Sequence, residues 1–169
     1  MDALDDQIIR SLRRISRAID KHSHRLAETW QLTGPQLLCI RRLAVGEGWT
    51  PSRLAAEIAV SQPTVTGIVT RLEKRGLLRR TRDDADRRRV WLELTPEGRA
   101  LAERAPSPLQ DQFANRLRAL EPAEQRRIAD VLDEVVQMME AEDLDASPLL
   151  ATGPVDASPL DVLGLLESD

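Results

Sequence analysis

Residues 50 to 78 read TPSRLAAEIAVSQPTVTGIVTRLEKRGLL, and the fold follows from how this stretch divides. Thr50 can cap a helix, Pro51 sits in a first turn where its missing N–H does no harm, and Leu54 and Ile58 give that helix an inward face. Ala59 and Val60 leave only a tight turn before Ser61, a second capping residue, with Pro63 again confined to a first turn. Val65, Ile68, Val69 and Leu72 then form one apolar stripe, and Gln62, Thr66, Gly67, Thr70 and Lys74 fall on the opposite face. Two helices joined this tightly make a helix-turn-helix. The outer face of the second is small and polar instead of rich in Glu–Lys pairs. Such a face can lie deep in a major groove and touch base edges and thymine methyls, although small polar helices also occur in folds that never meet DNA.

The residues after it point the same way. Gly76 stands where a left-handed helix cap would, and residues 77–82 and 89–94 read as two strands around the polar tip 83–88. On the return strand Val90, Leu92 and Leu94 alternate with Arg89, Trp91 and Glu93, so one face covers the helices and the other is exposed. Thr95 and Pro96 then start the next helix. This is a basic wing. Asp86-Arg87-Arg88, followed by five residues and Leu94-Thr95, resembles the Asp-x-Arg wing signature of the MarR family of winged-helix transcription regulators. The preceding SQPTVTGIVTRLEKRGLLRR is similar to that family's recognition helix and wing entry. By length, helix order and motif the resemblance covers about residues 4 to 142. Gly67 departs from the pattern, in which a longer side chain is common, and this implies fewer base contacts.

The expected fold class is therefore mainly α with a small β-wing: a winged helix-turn-helix domain plus N- and C-terminal dimerisation helices. Residues 1–142 would form the MarR-like unit, with 1–32 and 99–142 as dimerisation helices and 33–98 as the DNA-binding region, and 143–169 an acidic, Pro-containing tail. Leu4, Ile8, Leu12, Ile15, Ile19, His22, Leu26 and Trp30 make one stripe on a helix too long to bury it against one small domain. A partner helix is required, and the resemblance implies a homodimer in which the terminal helices of two subunits interlock. A second helix starts near Thr33 and ends by Gly46 and Gly48, and Trp49 pairs with the wing as the resemblance implies. After a helix over residues 96–104, Pro106 and Pro108 interrupt, and Leu109, Phe113, Leu117 and Leu120 resume the stripe. A last long helix starts at Pro122, with Ile128, Val131, Leu132, Val135, Met138 and Met139 on its buried side as packing residues.

At 169 residues the chain can bury one good core. Its net charge of −4 looks wrong for a DNA binder until it is distributed: +2 over residues 1–49, +4 over 50–104 and −10 over 105–169. The basic excess between Arg71 and Arg89 is what phosphate contact needs, and the acidic tail moves the whole-chain charge without touching that surface. The N-terminus has no apolar leader-like run, no stretch approaches a membrane span, and a single cysteine excludes an intrachain disulfide, so a cytoplasmic protein is expected. In the tail, Asp-Ala-Ser-Pro-Leu occurs at 145–149 and again at 156–160. The second copy can start a helix, with Ser158 as cap, Pro159 first and Asp161 in the first turn, or the tail is disordered.

The candidate DNA-binding residues are Gln62, Thr64, Thr66, Gly67 and Thr70 in the groove, and Arg71 and Lys74 on phosphates. On the wing tip the resemblance implies Arg88 in the minor groove, with Arg87 as its competitor and Asp86 fixing the tip. A candidate effector pocket lies where the first, second and post-wing helices meet, with walls from Leu26, Trp30, Leu37 and Phe113 and polar groups from His22 and Arg25. It would suit a small anionic or phenolic molecule, partly because the family's ligands often bind at that junction. A histidine satisfied beside a closed core is the other reading of His22. His22 and His24, two apart on a helix, point to different faces and chelate poorly, and Cys39 is either a small core residue or a redox-sensing thiol. No catalytic constellation, metal motif or cofactor motif is present, so no enzyme and no cofactor is expected. The expected function is a dimeric, sequence-specific regulator, a repressor of a pseudo-palindromic operator on double-stranded DNA, released by a small effector. The alternative is a winged helix for protein interaction or sequence-independent DNA architecture.

Overall fold

The computed structural model describes residues 3–83, 86, 89–142 and 157–164, the side chain of residue 110 excepted. Helix α1 runs Ala3–Trp30 and α2 Gly34–Ala44. Between them Gln31 takes a left-handed turn, φ 53°. The Arg75 guanidinium closes this corner by donating to the carbonyls of Gln31 and Trp30, a cation placed on the negative end of α1. Thr33 is the N-cap of α2 as expected, and its N–H donates to Gln36 Oε1 at 3.2 Å.

The helix-turn-helix consists of α3, Pro51–Glu57, and α4, Gln62–Lys74. Thr50 Oγ1 accepts from Arg53 N and Ser61 Oγ from Thr64 N, so both expected caps form. The whole apolar stripe of α4 is buried, as are Leu54 and Ile58. Gly76 takes the left-handed conformation at φ 71° that ends the helix. Strands β1, Leu78–Arg82, and β2, Val90–Leu94, pair antiparallel from Leu78 opposite Leu94 to Arg82 opposite Val90. Trp49 adds an isolated bridge to Leu92, as the family resemblance implied. Helix α5, Pro96–Arg104, follows on the Thr95 cap.

One core unites these elements. It runs from Leu26 of α1 through Leu37, Leu38 and Ile40 of α2 and the inward faces of α3 and α4 to Leu92, Leu94 and Ala105. The C-terminal end of α1, through Leu26, and α5, through Leu101 and Ala102, contribute to this core as well. The Arg41 guanidinium strengthens the seam by donating to the Ala105 carbonyl at 2.6 Å.

The Pro106–Pro108 interruption lies between α5 and α6, Leu109–Arg118, and α7 spans Pro122–Met138. The face of α7 expected to serve dimerisation is open in the single chain: Val131 is 50 % exposed, Leu132 43 %, Met138 75 % and Met139 64 %. Phe113 of α6 and Leu4, Ile8 and Ile15 of α1 are open in the same way. Among the described residues, no element of the same chain covers those faces. The tail supplies a further helix, α8, Pro159–Gly164, which packs on α1.

Candidate nucleic-acid interface

The outer row of α4 is held in order by its own backbone and by the wing. Thr66 Oγ1 donates to the Gln62 carbonyl at 2.9 Å and Thr70 Oγ1 to the Thr66 carbonyl at 2.8 Å, so both hydroxyls are satisfied by the helix's own backbone. Gln62 is tied back to α3, donating to Ser52 Oγ at 2.9 Å. Thr64 is bonded to the cap through Ser61 Oγ, 2.7 Å away. Thr66, Gln62 and Lys74 are exposed, Gly67 and Thr70 half-buried.

Several residues that fix this surface escaped the sequence reading. Arg80 of β1 donates to Thr70 Oγ1 at 2.7 Å and pairs with Glu73 at 3.4 Å, which clamps α4 to the wing. Thr70, expected at the groove, thus also carries a contact to the wing. Arg79 Nε and Nη2 both donate to Glu93 Oε2 across the sheet, at 2.9 and 2.6 Å. At the wing tip Asp83 Oδ1 accepts from Asp86 N at 3.3 Å and Oδ2 from Trp91 Nε1 at 3.1 Å. Arg89 N donates to the Asp86 carbonyl at 2.8 Å, and the Arg89 guanidinium lies 5.5 Å from the Trp91 ring centre. Asp83 thus braces the tip where Asp86 alone was expected to, and Trp91, expected on the exposed face, is half-buried and bonded to it. Acidic side chains in a basic wing carried the only sequence signal for this, and their pairing needs the strand register to be seen. Arg87 and Arg88 lie outside the described residues.

The α3 and α4 N-termini and the wing tip flank an open cleft of about 360 Å³, lined among others by Thr50, Ser52, Gln62, Asp86 and Arg89. Arg53 is fixed nearby, 4.3 Å over the Trp49 ring and bonded to the Glu47 and Gly48 carbonyls. Arg71 is half-buried, and its Nη1 is covered and has no hydrogen-bond partner among the described residues.

The effector residues are placed less compactly. Leu26 and Leu37 are closed into the core and Trp30 packs at its edge, whereas Phe113 is 46 % exposed and outside that core. His22 is half-buried, and burial together with the neighbouring Arg25 holds its pKa below the usual histidine value. Three clefts, at α7, at Trp49–Trp91 and at the wing tip, are lined by none of these six side chains. His24 is engaged with Glu28 at 2.8 Å. Cys39 is fully buried, and burial pushes its thiol up to about 12.

Comparison with known proteins adds to this geometry. A sequence model described as MarR family matches residues 32–90. The HTH-type transcriptional regulator FarR of Neisseria gonorrhoeae is 33 % identical over 110 residues, which cover 65 % of this chain and 75 % of that protein. The organic hydroperoxide resistance transcriptional regulator of Bacillus subtilis is 30 % identical over 102 residues, covering 60 % and 69 %. Among solved structures, the S. aureus MepR–DNA complex superposes with a TM-score of 0.57 at 23 % identity, over 75 % of this chain and 94 % of that one. A point mutant of Lactococcus lactis ZitR gives 0.61 at 19 % identity, over 82 % and 99 %.

Proposed function

Because this chain belongs to the MarR family, we propose that it is a homodimeric repressor that reads a pseudo-palindromic operator in double-stranded DNA and lets go when a small molecule binds. It works in the cytoplasm and carries out no catalysis. The observation that carries this reading is the clamp between Arg80, Thr70 and Glu73, which makes the reading face of α4 and the wing one rigid unit. Rigid units of this kind must reach successive major grooves about one helical turn apart, so their separation in the dimer sets affinity. A ligand that changes the separation changes binding without touching DNA.

Gln62, Thr64 and Thr66 supply base readout, and Arg71 and Lys74 supply phosphate contact. Arg88, with Arg87 beside it, extends the wing into the minor groove. Effector binding falls to the region of His22 and Arg25, where a His kept neutral and a cationic Arg flank apolar walls. An anionic or phenolic compound fits that chemistry, and the second subunit supplies the wall that Phe113 does not close in one chain.

The test is selection of bound sequences from random duplex DNA by the purified full chain. Enrichment of a two-fold symmetric site supports the reading. Uniform retention of all sequences points to the architectural alternative, and no retention to a protein-interaction role. Compounds that release the selected site are then compared on His22→Ala and Arg25→Ala proteins, and unchanged release by both moves the effector site elsewhere.

A further inference from the structure

The reading helix is tied at its far end to the corner where α1 turns into α2. Helix α1 ends on the left-handed Gln31, with Gln31 N donating to the Ala27 carbonyl at 3.0 Å and Leu32 N to the Leu26 carbonyl at 3.5 Å. The Trp30 and Gln31 carbonyls lie past those bonds, at the negative end of the helix. Arg75 takes both, Nη1 donating to the Gln31 carbonyl and Nη2 to the Trp30 carbonyl at 3.4 Å.

Both sides of this bridge are held in place. Arg75 is the C-cap of α4, its N–H bonded to the Arg71 carbonyl at 3.2 Å, and Gly76 N and Leu77 N close the helix behind it on the Glu73 and Leu72 carbonyls. Opposite, Trp30 packs on the core and Leu32 is fully buried. Arg75 stands at the end of α4 away from Gln62, and 13 residues of helix measure about 20 Å. A tilt of about 10° at Arg75 therefore carries the Gln62 end by about 3.4 Å, the rise of one base pair. The N-terminal half of α1, with Leu4, Ile8 and Ile15 open, is the part that a second copy covers. An angle held at this corner is thus an angle between the dimer interface and the reading face.

We propose that Arg75 is a positioning residue for operator spacing: by joining the end of α4 to the corner after α1, it fixes the separation of half-sites that the dimer accepts. The inference rests on the homodimeric DNA-binding reading above and names the contact through which that dimer measures its site. The competing role is a direct phosphate contact, as expected of the neighbouring Lys74.

The experiment measures the affinity of the full chain, Arg75→Ala and Arg75→Lys for three duplexes: the two-fold site selected by the full chain, that site with one base pair added at its centre, and one isolated half-site. Arg75→Ala is expected to bind the half-site within about twofold of the parent, while its preference for the selected over the lengthened site shrinks by about threefold to tenfold. Arg75→Lys keeps the charge, but a point ammonium does not span two carbonyls, so a smaller loss of preference is expected. Unchanged preference in Arg75→Ala overturns the proposal. So does an equal loss on all three duplexes with a salt slope reduced by about one per subunit, the sign of a phosphate contact. Should Arg75→Ala fail to fold, Arg75→Lys decides alone on the same outcomes.

A measurement without DNA separates this inference from the reading it rests on. Spin labels on Thr66→Cys of both subunits report the distance between the two reading faces, with Cys39, fully buried, left unlabelled. A broader distribution in Arg75→Ala than in the labelled parent is expected, and an equally narrow one overturns the proposal. If no two-fold site is selected, the DNA-binding reading fails, and the label distances still decide whether Arg75 holds the angle.

Discussion

Gly98 occupies the tightest backbone contact described for any glycine of the chain. A Cβ there would lie 2.0 Å from the Leu77 carbonyl oxygen, because the first turn of α5 is pressed on the start of the wing by the Thr95 cap and by the bond from Thr95 N to that same carbonyl. Gly98→Ala is expected to cost about 3 kcal/mol, the upper end of what overpacking does, measured as a lower denaturation midpoint at unchanged slope. Gly76→Ala is the control. Its Cβ would meet nothing within 4 Å, and only the left-handed φ of 71° is strained, so about 1–2 kcal/mol is expected. Equal costs at the two sites would remove the close approach as the cause. Cys39 makes a different residue-scale prediction. With its thiol pushed from 9.0 to about 12 by burial, the unfolded chain gives up this proton first as pH rises. Stability is therefore full below pH 9 and falls between 9 and 12, at up to about 1.4 kcal/mol per pH unit. The chain has no tyrosine, which removes the usual competing titration. Cys39→Ala is expected to flatten that alkaline slope, and an unaltered slope would assign it to another group. The same protonated, covered thiol argues against redox sensing by Cys39 in the folded chain.

At the scale of elements, what the sequence makes legible is set by local chemistry. Caps at Thr50, Ser61 and Thr95, the stripe of α4, the left-handed Gly76 and the proline break after α5 are all written within a few residues, and each stands where it was expected. Contacts between distant residues were not legible. The pairings of Arg80 with Thr70 and of Asp83 with Trp91 span 10 and 8 residues and depend on how the wing folds back. The seat of α8 on α1 joins segments more than a hundred residues apart, and only the capping pattern at Ser158 hinted that the helix exists. The Arg80 clamp leads to a test by contrast. Thr66→Ala removes an exposed hydroxyl bonded only to its own helix, so stability stays within about 0.5 kcal/mol while preference changes at one or two base positions. Arg80→Ala frees α4 from the wing and is expected to weaken all sequences together, with the ranking among them kept. A ranking changed by Arg80→Ala, and not by Thr66→Ala, would mean that the reading face has been assigned to the wrong side chains.

Across the whole molecule, one chain leaves its long helices unfinished. Helix α7 has 17 residues and buries none of them, and an isolated helix of that length is marginal in water without tertiary packing. Its Val131, Leu132 and Val136, the Phe113 ring and the N-terminal half of α1 together present more apolar surface than a monomer keeps open. A second copy is the natural cover, since family membership brings a homodimer and a two-fold axis lets the same patch serve both partners. The core of the winged region, by contrast, contains no residue of α6 or α7 and is complete within one chain. Assembly and folding of the reading head are thus separable. Leu132→Asp places a charge on the shared face of both subunits and is expected to weaken association by about 2–4 kcal/mol, roughly 30- to 700-fold in dissociation constant. Sedimentation over a range of concentrations would follow the loss, while the exchange protection of α2 and α4 stays as in the parent. Binding of one isolated half-site changes little in that variant, and binding of the full two-fold site drops, because a monomer places one reading head where a dimer places two. Should Leu132→Asp remain a tight dimer, α7 lies outside the interface and the subunits must join through α1 and α6 alone.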